Sequence, residues 1–211
     1  MRPFITRLGC VPLCFVCFSI AISALSEDAI DHAGKAKVDD STPEAAIGAF
    51  YSALANGDSR AASELLVAPR EMAEWTEIQA RMTVSFNRLG KAAVARFGED
   101  GNSLVAPVPA AVAFRQLDSV KPVVRGDSAE WPVNPKAPLK LKRIDGHWKL
   151  DVYSSFPSPA HLKQLNEVHR RVATYVGRIA SDLDAGKFKS VAEVREELKK
   201  QREAMSRELA K

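Results

Sequence analysis

The side chains able to do chemistry are few and scattered. His147 stands between the Asp145-Gly146 turn and Trp148. A histidine there can act as a general base, but that role needs an orienting partner. No partner carboxylate is evident, so a half-exposed strand histidine beside a turn is the simpler account. His161 and His169 lie eight apart, two helical turns and roughly one face. That is too far for one metal ion without other ligands, and no i,i+4 pair of metal-binding residues accompanies them. His32 falls in a polar leader. No metal and no cofactor is expected. Arg125-Gly126-Asp127 spells the integrin tripeptide, but a Gly-Asp turn between two strands accounts for it. There is no glycine-rich phosphate loop and no Gly-x-Ser-x-Gly elbow.

The ends and composition narrow the classes. The chain has 211 residues, 46% hydrophobic and 27% charged, enough for one globular domain with appendages. Arg2 and Arg7 precede an apolar run from Leu8 to Leu25, with small Ala24 and Ser26 at the −3 and −1 positions of a cleavage site. This is the pattern of a secretory signal peptide over residues 1–26. An uncleaved N-terminal anchor is the alternative, since the run is nearly long enough to span a membrane. Gly9, Pro12 and the serines weaken it as a spanning helix. All three cysteines, Cys10, Cys14 and Cys17, lie inside this segment, and none sits in a good lipoprotein setting. The mature chain is therefore expected to be cysteine-free, without disulfide or thiol chemistry. An exported, periplasmic or secreted protein is the expectation. Formal charge is +4, and without Arg2 and Arg7 it falls to 28 basic against 26 acidic residues. That is too little for nucleic-acid binding by bulk charge.

The elements that would position any site follow in order. Residues 27–41 read as a flexible polar leader. Thr42 or Ser41 can cap a helix from Pro43 to Ala55, with Ala46, Ile47, Phe50 and Leu54 on one side. Gly57 ends it, and Asp58 caps a second helix over 59–67. A third helix, roughly 70–97, carries Met72, Trp75, Ile78, Met82, Phe86, Leu89 and Phe97 at intervals of mostly three and four. The period then changes. Residues 110–117 alternate, with Val112 and Phe114 on one face, and 120–125 and 128–133 are further short strands. The strongest local signal is Leu139 to Val152, two alternating runs around Asp145-Gly146. A two-residue turn pairs Ile144 with His147, Arg143 with Trp148, Leu141 with Leu150 and Leu139 with Val152. Leu139, Leu141, Trp148, Leu150 and Val152 then share a greasy face, with Arg143 lying on Trp148. Lys140 and Asp151 oppose each other outside. The third helix is the expected cover for that face. Ser158 and Pro159 open a further helix with Leu162, Leu165, Val168, Val172, Tyr175, Ile179 and Leu183 as its stripe. Ser190 and Glu193 open the last, with Val191, Val194, Leu198, Met205 and Leu209 on a narrow seam.

The segment Thr42 to Leu66, TPEAAIGAFYSALANGDSRAASELL, resembles the opening helix, Gly-Asp turn and second helix of the nuclear-transport-factor-2-like superfamily. That superfamily includes ketosteroid-isomerase-like and polyketide-cyclase-like proteins. VRGDSAEWPV (124–133) and DGHWKLDVYS (145–154) resemble its later strands, as found in exported bacterial members of unknown function. The resemblance covers residues 42–153. It implies an α+β fold: three N-terminal helices packed on a curved, cone-like antiparallel sheet of about four to six strands. The predicted domain spans 42–156, with a C-terminal helical hairpin over 157–211. The superfamily hosts isomerases, dehydratases, cyclases, ligand carriers and interaction domains, so membership does not fix an activity.

Its ketosteroid-isomerase-like enzymes use a carboxylate base with tyrosine and acid oxyanion donors between the long helix and the sheet. By alternation the inward set here is Val112, Phe114, Gln116, Ala129, Trp131, Val133, Leu139, Leu141, Arg143, Trp148, Leu150 and Val152, without carboxylate or tyrosine. Tyr51, and Glu74 or Asp118 near an open end, are the remaining candidates. Phe50, Tyr51, Trp75, Phe114, Trp131 and Trp148 are the residues that would line a hydrophobic pocket, or else simply form the core. The expectation is an exported, non-catalytic binding or scaffold domain. It would take a small hydrophobic ligand or a protein partner, and a homodimer through the sheet is a further expectation. The alternatives are an isomerase- or dehydratase-like enzyme and partner docking by the C-terminal helices.

Overall fold

The computed structural model describes residues 39–104, 115–133 and 138–209. The expected signal peptide with its cysteines, the expected leader up to residue 38 with His32, residues 105–114 with Val112 and Phe114, and residues 134–137 and 210–211 lie outside the described residues. What is described is α+β, helices with a four-stranded antiparallel open sheet.

Helix α1 spans Pro43–Ala55, and Thr42 caps it by accepting the Ala45 N–H at 3.1 Å. Gly57 turns the chain at φ +76°, where a side chain would be strained. Asp58 then caps α2, Ser59–Glu64, by accepting the Ala61 N–H at 2.9 Å. The next residues, 65–67, run beside the last strand: the Leu150 N–H donates to the Leu65 carbonyl, and the Val67 N–H to that of Leu150. Helix α3, Pro69–Phe97, is 29 residues, about 43 Å long. A 3₁₀ segment, Gly98–Leu104, folds back at its end.

Residues 115–119 are helical, which corrects the strand expected over 110–117 in its described part. The Val120 N–H donates to the Gln116 carbonyl at 2.7 Å, and the Ser119 hydroxyl to the carbonyls of Arg115 and Gln116. These bonds satisfy the backbone locally, and Leu117 reaches the core from the turn they close.

Strands β1 (Val123–Arg125), β2 (Ser128–Trp131), β3 (Leu139–Ile144) and β4 (His147–Leu150) form a meander in sequence order. The hairpin register is the expected one: Leu141 opposite Leu150, Arg143 opposite Trp148, Ile144 opposite His147. Asp145 and Gly146 both take positive φ, 51° and 84°, as a type I′ turn requires. Ala129, Trp131, Leu141, Trp148 and Leu150 are buried on the inner face.

Two details of the hairpin differ. Arg143 is exposed at the tip, and its Nε donates to the Gly146 carbonyl at 3.3 Å. That carbonyl competes for the guanidinium expected on the Trp148 ring. Asp151, expected outside, is only 4% exposed. The chain leaves the strand at Leu150 and turns into a 3₁₀ segment, Tyr153–Ser155, so alternation no longer sets its direction.

The helix lying directly against β4 is α1, not α3. Ile47, Phe50 and Leu54 of α1, Leu65 and Leu66, Met72 of early α3 and the inner sheet face make one core. The later half of α3 is used elsewhere. Its Leu89, Ala92 and Ala93 join a second core with helices α4 (Pro159–Asp184) and α5 (Val191–Leu209). That is why the long stripe is not free to close over the hairpin. Helix α4 runs parallel to α3: Glu74 meets Asn166 and Arg170, Gln79 meets His169, and Arg88 meets Asp184. Helix α5 returns antiparallel to α4, with Arg178 near Glu197 and Arg171 on Glu208.

Candidate functional site

The aromatic residues expected at a pocket are placed by α1, α3 and the sheet. Phe50 is 2% exposed and its ring is parallel to that of Trp75, with centroids 6.3 Å apart. Tyr51 meets Phe50 edge-on at 5.4 Å. Phe156, absent from the expected pocket set, also meets Trp75, edge-on at 6.3 Å. Offset and edge-on pairs at these distances are favourable contacts between rings. Trp131 and Trp148 are buried in the same core, and the Trp131 indole N–H donates to the Val120 carbonyl at 2.8 Å. The structure thus joins Phe50, Tyr51 and Trp75 directly and places Trp131 and Trp148 in the same cluster. Phe114 lies outside the described residues. These side chains meet one another. Burial pushes the Tyr51 phenol up from its ordinary value, so it stays protonated through neutral pH.

Of the buried polar side chains, Thr76, Thr83 and Asp151 are held by backbone or side-chain partners, while Asn166 Oδ1 has no hydrogen-bond partner among the described residues. The Thr76 hydroxyl donates to the Met72 carbonyl at 2.6 Å, and that of Thr83 to Gln79 at 2.8 Å. Asp151 is the buried carboxylate among the described residues. Lys142 Nζ lies 2.7 Å from its Oδ2, and the Ser154 N–H donates to Oδ1 at 3.2 Å. Desolvation pushes this carboxyl up, but Lys142 and Ser154 together outweigh it and hold the group below its ordinary value. Asp151 is therefore charged at neutral pH and ties β3 to the turn after β4. Its signal in the sequence was an aspartate three residues before Ser154, the spacing of a local side-chain cap.

The other candidates are dispersed. Glu74 is exposed, accepting from Arg170 at 2.6 Å and from Asn166 at 3.3 Å. Asp118 is exposed in the 115–119 turn. His161 is at the start of α4, and His169 is two turns on, where Gln79 Nε2 lies 2.6 Å from its Nδ1. Burial lowers the His169 pKa, favouring the neutral ring. No group of three or more metal-ligating side chains occurs among the described residues. The same residues contain no helix long and apolar enough to cross a membrane.

His147 does have a carboxylate partner. Asp40 Oδ1 lies 2.7 Å from His147 Nδ1, and its Oδ2 is 3.7 Å from Lys149 Nζ. The Trp148 N–H also donates to the Asp40 carbonyl at 2.9 Å. Sequence distance hid this pairing, since 107 positions separate the two residues. Asp40, within the stretch expected as leader, thus lies along the outer edge of β4, the edge that residues 65–67 also pair with. The His147 side chain is 60% exposed, and with Lys149 it fastens the chain before α1 to the sheet.

No family model, curated protein or solved structure matches this chain.

The site is therefore read from its own geometry. The arrangement buries aromatic rings against each other and uses its internal carboxylate as a tie. The surface histidine is a fastening for the N-terminal segment. On the far core a groove of about 340 Å³ opens between α4 and α5.

Proposed function

We propose that the chain is an exported, non-catalytic scaffold or binding domain of the nuclear-transport-factor-2-like kind, its signal peptide removed near residue 26. In this reading β1–β4 are part of a curved sheet, α1–α3 are the helices packed on it, and α4 with α5 forms an added helical hairpin. Support comes from the order of three helices before an antiparallel meander. The observation that carries the non-catalytic reading is the use made of Asp151. A general acid or base at a working site carries a pKa tuned toward neutrality and open hydrogen-bonding capacity. Asp151 has a lowered pKa and bonds to Lys142 and Ser154. Tyr51, the other inward candidate, stands edge-on to Phe50 rather than beside an acid.

The test is a titration of Asp151 together with its Asp151→Asn variant. A carboxyl with a lowered native pKa stabilises the fold above its unfolded value and loses that contribution as pH falls through the native one. Asp151 should thus titrate below the ordinary aspartate range in the native protein by NMR. Asp151→Asn should cost about 1.5–3 kcal/mol at pH 7, the range for hydrogen bonds to charged groups, and should flatten the acid limb of the stability curve. A catalytic carboxylate behaves the other way: its native pKa is raised, and its removal leaves stability unchanged or higher. That pattern would overturn the reading.

A further inference from the structure

We propose that the groove between α4 and α5 binds an organic carboxylate with a short apolar body, and that Glu208 is its resting occupant. Helix α4 places Arg170, Arg171 and Arg178 along the rim, and Tyr175 with Met205 supplies a less polar floor. The lining holds three guanidinium groups and one carboxylate, Glu208, and Glu74, Glu167 and Glu197 reach the same arginines from outside it. The planar guanidinium fork matches a carboxylate in shape and charge.

A carboxylate is already seated there. Glu208 Oε2 lies 2.6 Å from Arg171 Nη1, which shows that the groove accepts this group at hydrogen-bonding distance. Its hold is light. The Glu208 side chain is 62% exposed and comes from the last turn of α5. Exposed ion pairs of this kind contribute little, so a ligand displaces it at small cost. Arg178 is also available: its nearest carboxylate, Glu197, is 3.6 Å away, beyond a good hydrogen bond. Arg170 is not, because Glu74 and Glu167 hold both of its terminal nitrogens at 2.6 Å; on Arg171, Glu167 takes Nε at 2.9 Å, so Glu208 on Nη1 is the partner a ligand replaces. The ligand's carboxylate is thus assigned to Arg171, with Arg178 as the second cation. Its chain lies over the Tyr175 ring and Met205, which is 6% exposed. The site goes beyond the scaffold reading above and shares no residue with the aromatic core, so either can fail alone.

Octanoate is the probe, titrated calorimetrically into the protein, with acetate and octan-1-ol as controls for the body and the charge. Saturable octanoate binding is expected, with both controls at least about tenfold weaker. Arg171→Gln should weaken octanoate about 10–100-fold, the scale of a charge-assisted hydrogen bond. Glu208→Gln should tighten it about 2–5-fold, because the competing carboxylate is gone. Far-UV circular dichroism checks that these surface variants fold. Absence of saturation, equal binding of octan-1-ol, or unchanged affinity in folded Arg171→Gln would each overturn the proposal. So would weaker binding in Glu208→Gln.

Discussion

A chain ending at Ser158 is expected not to fold. Helices α4 and α5 would be gone, and the later half of α3 would face water with Leu89 and Ala93, both 0% exposed in the intact chain. The residues lost include Val176, Val194 and Ile179 at 0% and Leu183 at 1%. Removing even one such side chain costs about 2–5 kcal/mol. Whole domains are stable by only about 5–15 kcal/mol, so losing one of two cores exceeds the margin. The polar contacts of Glu74, Gln79 and Arg88 with α4 go as well. Far-UV circular dichroism with thermal melting decides it. No cooperative transition is expected, and a sharp native-like melt would show that α1–α3 and the sheet stand alone.

The second large effect belongs to the other core. Phe50→Ala should destabilise the protein by about 3–5 kcal/mol, as for buried aromatic truncations generally. Phe50 is 2% exposed, lies parallel to Trp75 and receives the edge of Tyr51. Its removal leaves a cavity between α1 and the sheet and unpairs two rings. Urea unfolding measures the change directly. A loss under about 1 kcal/mol would mean that the neighbours collapse into the space or that it was not filled.

Local features were legible before the structure. The hairpin register followed from strict alternation around Asp145-Gly146, because a one-residue slip would reverse every side chain. The caps at Thr42, Asp58 and Ser158 followed from residue type and the following proline or turn. What could not be read was which apolar faces meet. The stripe on α3 is continuous in sequence, yet its early part serves the sheet-side core and its late part serves α4 and α5. Periodicity shows that a face is buried, not against what. The parallel pairing of α3 with α4 joins residues about 90 positions apart, such as Gln79 and His169. Asp40 with His147 is the same kind of case. The helical turn at 115–119 misled because a few alternating residues also fit one turn of helix. For the candidate site, the aromatic set was legible as a group, while Phe156 was hidden in a proline-containing break.

In the function proposed above, the space between α1, α3 and the sheet is filled by the protein's own rings rather than kept open for a substrate. Titration of the native protein with the uncharged fluorescent probe N-phenyl-1-naphthylamine tests it most directly, because a neutral aromatic molecule has no charge to draw it to the arginine groove. The prediction is no saturable rise in fluorescence and no increase in melting temperature with added probe. Saturable binding that Phe50→Ala or Trp75→Ala alters, with the fold retained, would contradict it and return the aromatic cluster to the status of a ligand pocket.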